Sequence, residues 1–193
     1  MSIQDAPGGS AALSTVLVTV LVGLEDKIEG YHSQYGDDTI LVAAADRLAV
    51  CQWLKDHPVL GFDLLMDSTA VDWPEDELRF EVVDHLFSTT GHHRLRLKCR
   101  VSEDSPSLPS LTPLFGSANW MERETWDMYG IEFDGHPDLR RILLYPEFKG
   151  FPLRKDYPKL KAHPLFEARY PGVRETSAII HPKPGETEPR NDP

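Results

Sequence analysis

The stretch "NWMERETWDMYGIEFDGHPDLRRILL", from Asn119 to Leu144, combines four aromatic residues with nine charged ones. Gly130 lies near its centre, and glycine is common just beyond a helix end because it tolerates the left-handed conformation. Asn119 is a favourable helix N-cap, and Glu122 three residues later completes the capping-box spacing. The stretch therefore predicts a helix over residues 119–130, followed by irregular chain.

One side of the predicted helix combines charges with a tryptophan. At about 100° per residue, Arg123, Glu124 and Asp127 cluster there together with Trp120. The simplest interpretation of Arg123 and Asp127 is a surface pair four residues apart, which contributes roughly a few tenths of a kcal/mol. Trp on the same side fits that interpretation poorly, because helix faces with both charges and Trp are typical of protein interfaces. We therefore favour an interface on this side.

Glu122 borders the apolar side of the helix, between Tyr129 and Trp126. Two interpretations stay open for its carboxylate. It completes the capping box of the first turn, or it is a buried carboxylate paired with Arg140 or Arg141.

The same stretch does not have the pattern of an active site. Glu122 and Glu124 are two residues apart, so they project about 200° from each other and cannot converge on one small site. His136 lies in a loop without a second histidine at metal-ligand spacing, and His92 and His93 are adjacent residues of a turn. Phosphate-binding and nucleophile motifs are missing from the sequence. We therefore predict no catalytic, cofactor-binding or metal-binding residue.

Outward from this stretch, hydrophobic patterns alternate between short strands and helices, which predicts an α+β fold. We expect a small mixed or antiparallel sheet with packed helices, followed by an extended irregular C-terminal arm. The organisation is a flexible N-terminus at 1–12, an α+β domain at 13–145 and the arm at 146–193. The expected elements are a helix within 13–30 with a strand as the alternative, a strand at 39–44, a helix at 46–58 begun by Asp46, and strands within 62–73, 78–87 and 93–101.

The last two strands flank "STTGHH" and predict a hairpin. Pairing Leu86 with Leu95 places Val82 opposite Cys99 and puts Asp84 on the inner, apolar face. Asp84 must then have a partner in the core, or the register is wrong by one residue. The outer face carries a basic stripe, interpreted as a solvated surface or as a docking surface for an acidic neighbour. The stripe consists of Arg94, Arg96, Lys98 and Arg100.

Composition limits the classes of partner. The chain has 193 residues and a formal net charge of -11, which argues against nucleic acid or an anionic lipid surface. Cys51 and Cys99 cannot supply the four ligands of an iron–sulfur cluster or a structural zinc site. The apolar run Val16–Leu24 is much shorter than the ~20 residues of a membrane span. Membrane association is therefore expected only through partners.

The residues of the opening stretch and the start of the arm carry a resemblance to a known family. The pattern W-x-E-R-E-x-W-D-M-x-G-I from Trp120, then G-H-P-D-L, R-R-I-L and P-L-R-K-D, resembles the C subunit of bacterial NADH:quinone oxidoreductase, the thirty-kilodalton subunit family of respiratory complex I. A weaker resemblance covers about residues 40–160. The residues expected to form or support contacts between subunits are Trp120, Glu122, Arg123, Glu124, Trp126, Asp127, Gly130, Gly135, His136, Pro137, Arg140, Arg141, Pro152, Arg154, Lys155 and Asp156.

The resemblance implies a structural subunit in the peripheral arm of the complex, on the cytoplasmic face of the membrane. Such a subunit binds no cofactor; FMN, iron–sulfur clusters and quinone belong to other subunits. It packs chiefly on the D subunit, with the B and I subunits nearby, and its C-terminal arm lies over its neighbours. Two positions depart from the family pattern: Phe151 stands where His is frequent, and Asp84 stands where an aromatic residue is expected.

Two alternatives remain. Related membrane-bound hydrogenases and other donor-specific oxidoreductases contain an equivalent subunit. A free-standing small enzyme that uses Glu122, Glu124 and His136 belongs to a different class.

Overall fold

The computed structural model describes residues 13–158. The N-terminus predicted at 1–12 and the part of the predicted arm at 159–193 lie outside the described residues. A five-stranded sheet with the order β1-β2-β5-β4-β3 forms the centre, and a two-stranded parallel pair, β6 and β7, lies beside it. Only β2 and β5 run parallel within the five-stranded sheet. The strands are β1 Ile28–Gln34, β2 Asp37–Val42, β3 Leu64–Asp72, β4 Phe80–Phe87, β5 Arg94–Val101, β6 Ser107–Pro109 and β7 Glu132–Asp134.

Three α-helices in the described part complete the α+β fold, which confirms the predicted class. They are α1 Thr15–Gly23, α2 Arg47–Asp56 and α3 Ala118–Tyr129. Inward residues of α1 and α2 and the N-terminal Ala118 of α3 join one hydrophobic core with the inner residues of β2, β4 and β5. Burial of this shared apolar surface is the main term that stabilises the fold.

The predicted hairpin register is confirmed. Leu86 pairs with Leu95, Val82 with Cys99, and Glu81 with Arg100. This register places Asp84 on the inner face, where its side chain is fully buried.

Three of the four cations of the basic stripe form ion pairs with carboxylates of the described residues. Arg96 binds Asp37, Lys98 binds Glu81, and Arg100 binds Asp76 and Glu81. Arg94 lies over the ring of Phe87. These contacts favour the interpretation of a solvated sheet surface.

The helix predicted within residues 13–30 is confirmed as α1, and the alternative of a strand in that apolar run is wrong. The apolar helix α1 ends at Gly23, where an added Cβ would lie 2.3 Å from the Trp53 ring. The chain then forms β1, whose polar sequence "IEGYHSQ" does not alternate clearly, so the sequence did not reveal it. Pairing with β2 holds this edge strand.

Two predicted helix caps are wrong. Asp46 precedes α2 but its side chain forms no cap, because it binds Lys27 at 2.5 Å instead. The helix expected over 119–130 occupies Ala118–Tyr129, so Asn119 lies inside it and Ser117 precedes it without a side-chain cap.

Gly130 ends α3 in the left-handed conformation, with φ of 75°, as the sequence predicts. The ring of Phe151 packs against it, and an added Cβ would lie 2.4 Å from that ring. Two independent constraints therefore require glycine at this position.

We expect Gly130→Ala to destabilise the chain more than Gly36→Ala does. Both glycines have positive φ, but an added Cβ at Gly36 would meet nothing within 4 Å. Gly36→Ala should cost about 1–2 kcal/mol, and Gly130→Ala should cost about 1–3 kcal/mol more because Phe151 must move. Urea unfolding measures both, and equal losses would contradict the Phe151 contact.

Candidate subunit-interaction site

Helix α3 lies between the sheet and the irregular chain that follows β7. Its inner side faces the edge strand β3, where the Thr125 hydroxyl donates to the Ser68 carbonyl at 2.9 Å. Trp120 projects away from the core and is 63% exposed. Glu122 lies on the inner side of the helix and Asp127 on the outer side, and the two carboxylates accept hydrogen bonds from different parts of the chain.

On the inner side, Glu122 belongs to a buried ionic triad with Arg47 of α2 and Asp84 of β4. The Arg47 guanidinium donates to Asp84 at 2.8 and 2.7 Å and to Glu122 at 3.1 Å. All three side chains are 0% exposed. The remaining Arg47 donors bind the Pro109 carbonyl at 2.7 Å and the Ser68 hydroxyl at 3.1 Å. The guanidinium is therefore fully hydrogen-bonded inside the core.

Two further donors complete the surroundings of Glu122. The Ser110 hydroxyl donates to it at 2.6 Å, and the Leu111 backbone N–H donates at 2.8 Å. The interpretation of Glu122 as a buried carboxylate is confirmed, but its partner is Arg47 and not Arg140 or Arg141. The capping-box interpretation is wrong, because Glu122 binds no N–H at the start of α3. The helix starts one residue before the predicted position and directs Glu122 toward α2.

The sequence contained a signal for this triad. Arg47, Val50, Cys51 and Leu54 have the spacing of one helix face, and all four are buried. The inner position of Asp84 indicated a cation in the core, and Arg47 on the buried face of α2 supplies it.

Burial lowers the pKa of the Arg47 guanidinium, but attraction to Asp84 and Glu122 outweighs burial, so the pKa is raised.

The two cysteines are free thiols near this triad. Burial is the largest cause that raises the pKa of both the Cys51 and Cys99 thiols, and the negative charge of Asp84 adds to it. Both thiols therefore stay protonated and behave as small apolar side chains.

On the outer side of α3, Asp127 is also 0% exposed because the following chain covers it. Its Oδ2 accepts hydrogen bonds from three successive backbone N–H groups, those of residues 142, 143 and 144, at 3.1, 2.9 and 2.9 Å. Arg141 donates to Oδ1 at 2.6 Å. Burial alone raises the pKa of Asp127, but these donors outweigh it and lower the pKa.

Arg123 does not form the surface pair with Asp127 that the spacing allows. Its guanidinium donates to the carbonyls of Arg140 and Arg141 at 3.1 and 3.2 Å and lies over the Trp120 ring. Arg123 and Asp127 therefore both bind the chain that folds back over the helix.

We call residues 141–156 the strap. Arg141, at its start, lies 5.6–5.7 Å from the ring centroids of Trp126, Phe148 and Phe151. Arg154, near its end, lies 4.8 Å from the rings of both Phe80 and Phe151. Phe151 thus packs with two guanidinium groups, which gives its ring a structural role.

The strap also satisfies the C-terminal carbonyls of α3. Leu153 N–H donates to the Met128 carbonyl at 3.1 Å, and Arg154 donates to the Tyr129 carbonyl at 2.6 Å. Arg141 reaches the Asp127 carbonyl at 3.4 Å. A helix end leaves such carbonyls without intrahelical partners, and cations near them interact favourably with the helix dipole.

A second ionic cluster holds the end of the strap to the sheet. Arg79 binds Asp72 through two hydrogen bonds of 2.7 and 2.9 Å, and it also binds Glu103 at 2.7 Å and Asp156 at 2.9 Å. The Lys155 backbone N–H donates to Asp72 at 2.6 Å. Sequence reasoning did not find Arg79 or Asp72, because neither lies in a recognisable motif.

The residues expected at contacts between subunits divide by exposure. His136 is half-buried and its Nε2 lies 3.1 Å from the Asn119 carbonyl, so it connects the loop to α3. Glu122, Asp127 and Gly130 are buried; Arg123, Trp126, His136, Arg141, Pro152 and Arg154 are half-buried; Trp120, Glu124, Gly135, Pro137, Arg140, Lys155 and Asp156 are exposed.

Within residues 13–158, no three or more His, Cys, Asp or Glu side chains are arranged as a metal site. None of the helices in this part of the chain has the length and apolar character needed to cross a bilayer.

A sequence model of the family described as respiratory-chain NADH dehydrogenase, 30 Kd subunit, matches residues 40–163. The chain belongs to this family. The match includes the triad, α3 and the strap, so these features lie in the part that this 30 Kd subunit family shares. The family expected from the sequence is therefore confirmed.

Curated relatives agree with this assignment. The NADH-quinone oxidoreductase C subunit numbered 2 of Rhizobium etli (strain CIAT 652) is 47% identical over 133 residues, which cover 69% of this chain and 71% of the relative. The NADH-quinone oxidoreductase C subunit of Caulobacter vibrioides is 50% identical over 129 residues, which cover 67% of this chain and 65% of the relative.

Two solved structures share the fold. The trypsin-resistant fragment (1-134) of Nqo5 has a TM-score of 0.54 and 32% identity, over 64% of this chain and 99% of that one. A chain of the membrane-bound sulfane sulfur reductase, an archaeal respiratory membrane complex, has a TM-score of 0.64 and 24% identity, over 80% of this chain and 89% of that one. Because the sequence identity to the sulfane sulfur reductase chain is only 24%, this similarity concerns the fold alone.

For this 30 Kd subunit family member, we expect Arg47→Met to cost about 3–5 kcal/mol of unfolding free energy, because Asp84 and Glu122 lose their shared cation inside the core. The matched control is Arg96→Met, which removes a 27% exposed partner of Asp37 and should cost at most about 1 kcal/mol. Thermal and urea unfolding of both variants provide the comparison. A small loss for Arg47→Met would contradict the structural importance of the triad.

Asp127→Asn tests the outer carboxylate through pH. The folded-state pKa of Asp127 is lowered, so its charge stabilises the fold fully above the unfolded pKa of about 4 and loses this contribution as pH falls through the folded pKa. We expect the variant to be less stable by about 2 kcal/mol at pH 7, with a smaller difference at about pH 3. Urea unfolding across this range measures the gap. A gap that stays constant with pH would contradict an ionised Asp127.

Proposed function

We propose that this chain is the C subunit of a proton-translocating NADH:quinone oxidoreductase and acts as a structural part of its peripheral arm. One observation carries the proposal: the inner charges of the family-matched stretch bind each other, whereas Trp120 and Arg140 stay exposed beside them. Glu122 and Asp127 each have a full set of donors within the chain. These two carboxylates fix an architecture, and neither of them is free for acid–base catalysis.

In this role the chain supports electron transfer from NADH through FMN and iron–sulfur clusters of other subunits to quinone, and it binds no cofactor itself. Its partners are other subunits of complex I, chiefly the D subunit, with the B and I subunits nearby. It reaches the cytoplasmic face of the membrane through them. The exposed Trp120 supports a protein contact, since large aromatic residues are enriched at the energetic centres of interfaces.

The equivalent subunit of a related donor-specific complex is the second candidate. The fold shared with a chain of the membrane-bound sulfane sulfur reductase, an archaeal respiratory membrane complex, favours this candidate. Co-purification of the tagged chain from its native membranes separates the two. Flavin-binding NADH subunits among the co-purified proteins would support the proposal, whereas a nickel-binding large subunit would support a hydrogenase complex.

The isolated chain provides a further test. Catalytic activity of the purified chain alone, lost on Glu122→Gln, would overturn the structural role. That variant needs a stability measurement beside it, because Glu122 also lies in the buried triad.

Arg140→Ala and Arg141→Ala should both lower the amount of assembled complex, for different reasons. Arg140 is 73% exposed, so its replacement should leave the stability of the isolated chain within about 0.5 kcal/mol. Arg141 is 15% exposed and binds the buried Asp127, so Arg141→Ala should also destabilise the chain by about 2–4 kcal/mol. Native gels and thermal unfolding give the two readouts. Normal assembly of Arg140→Ala with lost quinone reduction would contradict a purely structural Arg140.

A further inference from the structure

The strap is attached at two ends that differ in exposure. At its start, Asp127 and Arg141 are 0% and 15% exposed. At its end, Asp156 is 61% exposed, although its partner Arg79 is only 7% exposed. An ion pair with an exposed member costs little to break, whereas separation of a buried pair leaves an uncompensated charge in the core and is strongly destabilising. The strap therefore has a fixed start and an end that can be released.

The releasable end is nevertheless a built contact. Arg79 already binds Asp72, and this pair presents one carboxylate oxygen to the Lys155 backbone N–H. The other guanidinium donors bind Asp156 and Glu103. Arg154 beside them lies 4.8 Å from the Phe80 ring on the same sheet. Backbone, charge and aromatic contacts thus converge on residues 154–156.

We propose that residues 151–156 form a latch, closed on Arg79 in the unassembled chain, whose closed state favours association with a neighbouring subunit. The role in assembly rests on the proposed function, whereas closure of the latch in the free chain does not. A segment that is already held in one conformation loses less conformational entropy when it binds, so a closed latch favours assembly.

Hydrogen exchange on the purified full-length chain tests closure. Asp156→Asn keeps the size of the side chain and removes its charge from Arg79. We expect exchange at the amides of residues 153–157 to rise about two- to fivefold, the range set by one part-exposed ion pair. The matched control is Asp138→Asn, which removes a 51% exposed partner of Arg140 outside the latch and should leave these amides unchanged.

Three outcomes of this experiment would overturn the latch. The first is that the amides of residues 153–157 in the unmodified chain exchange as fast as those of an unstructured peptide. The second is that Asp156→Asn leaves their exchange unchanged, and the third is that Asp138→Asn raises it as much as Asp156→Asn does. Thermal unfolding of both variants shows whether the domain itself is intact.

Complementation of a strain that lacks the chain tests the role in assembly. At low expression, Asp156→Asn should reduce the chain recovered in the membrane complex about two- to fivefold, and higher expression should restore it because mass action compensates a weaker association. Unchanged recovery at low expression would overturn this role. If even the unmodified chain is missing from the complex, the proposed function fails, while the exchange result still decides whether the latch closes.

Discussion

The salt bridge from Arg47 to Asp84 and Glu122 joins α2, β4 and α3 inside the hydrophobic core. One guanidinium faces two carboxylates, and the Ser110 hydroxyl and Leu111 N–H supply the additional donors that Glu122 needs. A charge buried without such partners is very unfavourable. Helix α3 can therefore pack on β3 only in the orientation that brings Glu122 to Arg47, and this orientation determines which residues face outward.

The outward side of α3 in turn organises the chain that follows. Asp127 accepts three successive backbone N–H groups of residues 142–144, so the chain must turn over the helix at that position. The strap then continues to the C-terminal carbonyls of α3 and to the Arg79 cluster. An irregular segment has few hydrogen bonds of its own to satisfy its backbone, so specific partners such as these are what give it one conformation.

The sequence predicted contacts between neighbouring strands well, but it did not identify partners that lie far apart along the chain. The β4–β5 register depends on alternation between neighbouring strands, and the prediction is confirmed along the whole hairpin. The inner position of Asp84 correctly indicated a buried partner. Its identity as Arg47 could not be read directly, because 37 residues separate the two.

Local spacing was misleading where a distant partner competes for the same group. Glu122 has the capping-box spacing, yet Arg47, 75 residues away, binds it. Arg123 and Asp127 have the spacing of a helical ion pair, yet residues 140–144 bind both. Strand β1 was missed because pairing with β2, and not its own pattern, maintains it. In each case a tertiary contact outweighs a local preference of a few tenths of a kcal/mol to about 1 kcal/mol.

The density of charge between residues 119 and 144 is thus a consequence of packing a short helix on both of its sides. A catalytic carboxylate must reach a substrate, but Glu122 and Asp127 are both 0% exposed and fully hydrogen-bonded. Their role is to fix α3 against the core and the strap against α3. Trp120 and Arg140 are the exposed members of the same stretch. Because the buried charges hold the backbone beneath them, these two side chains can meet a partner without the cost of first ordering the segment that carries them.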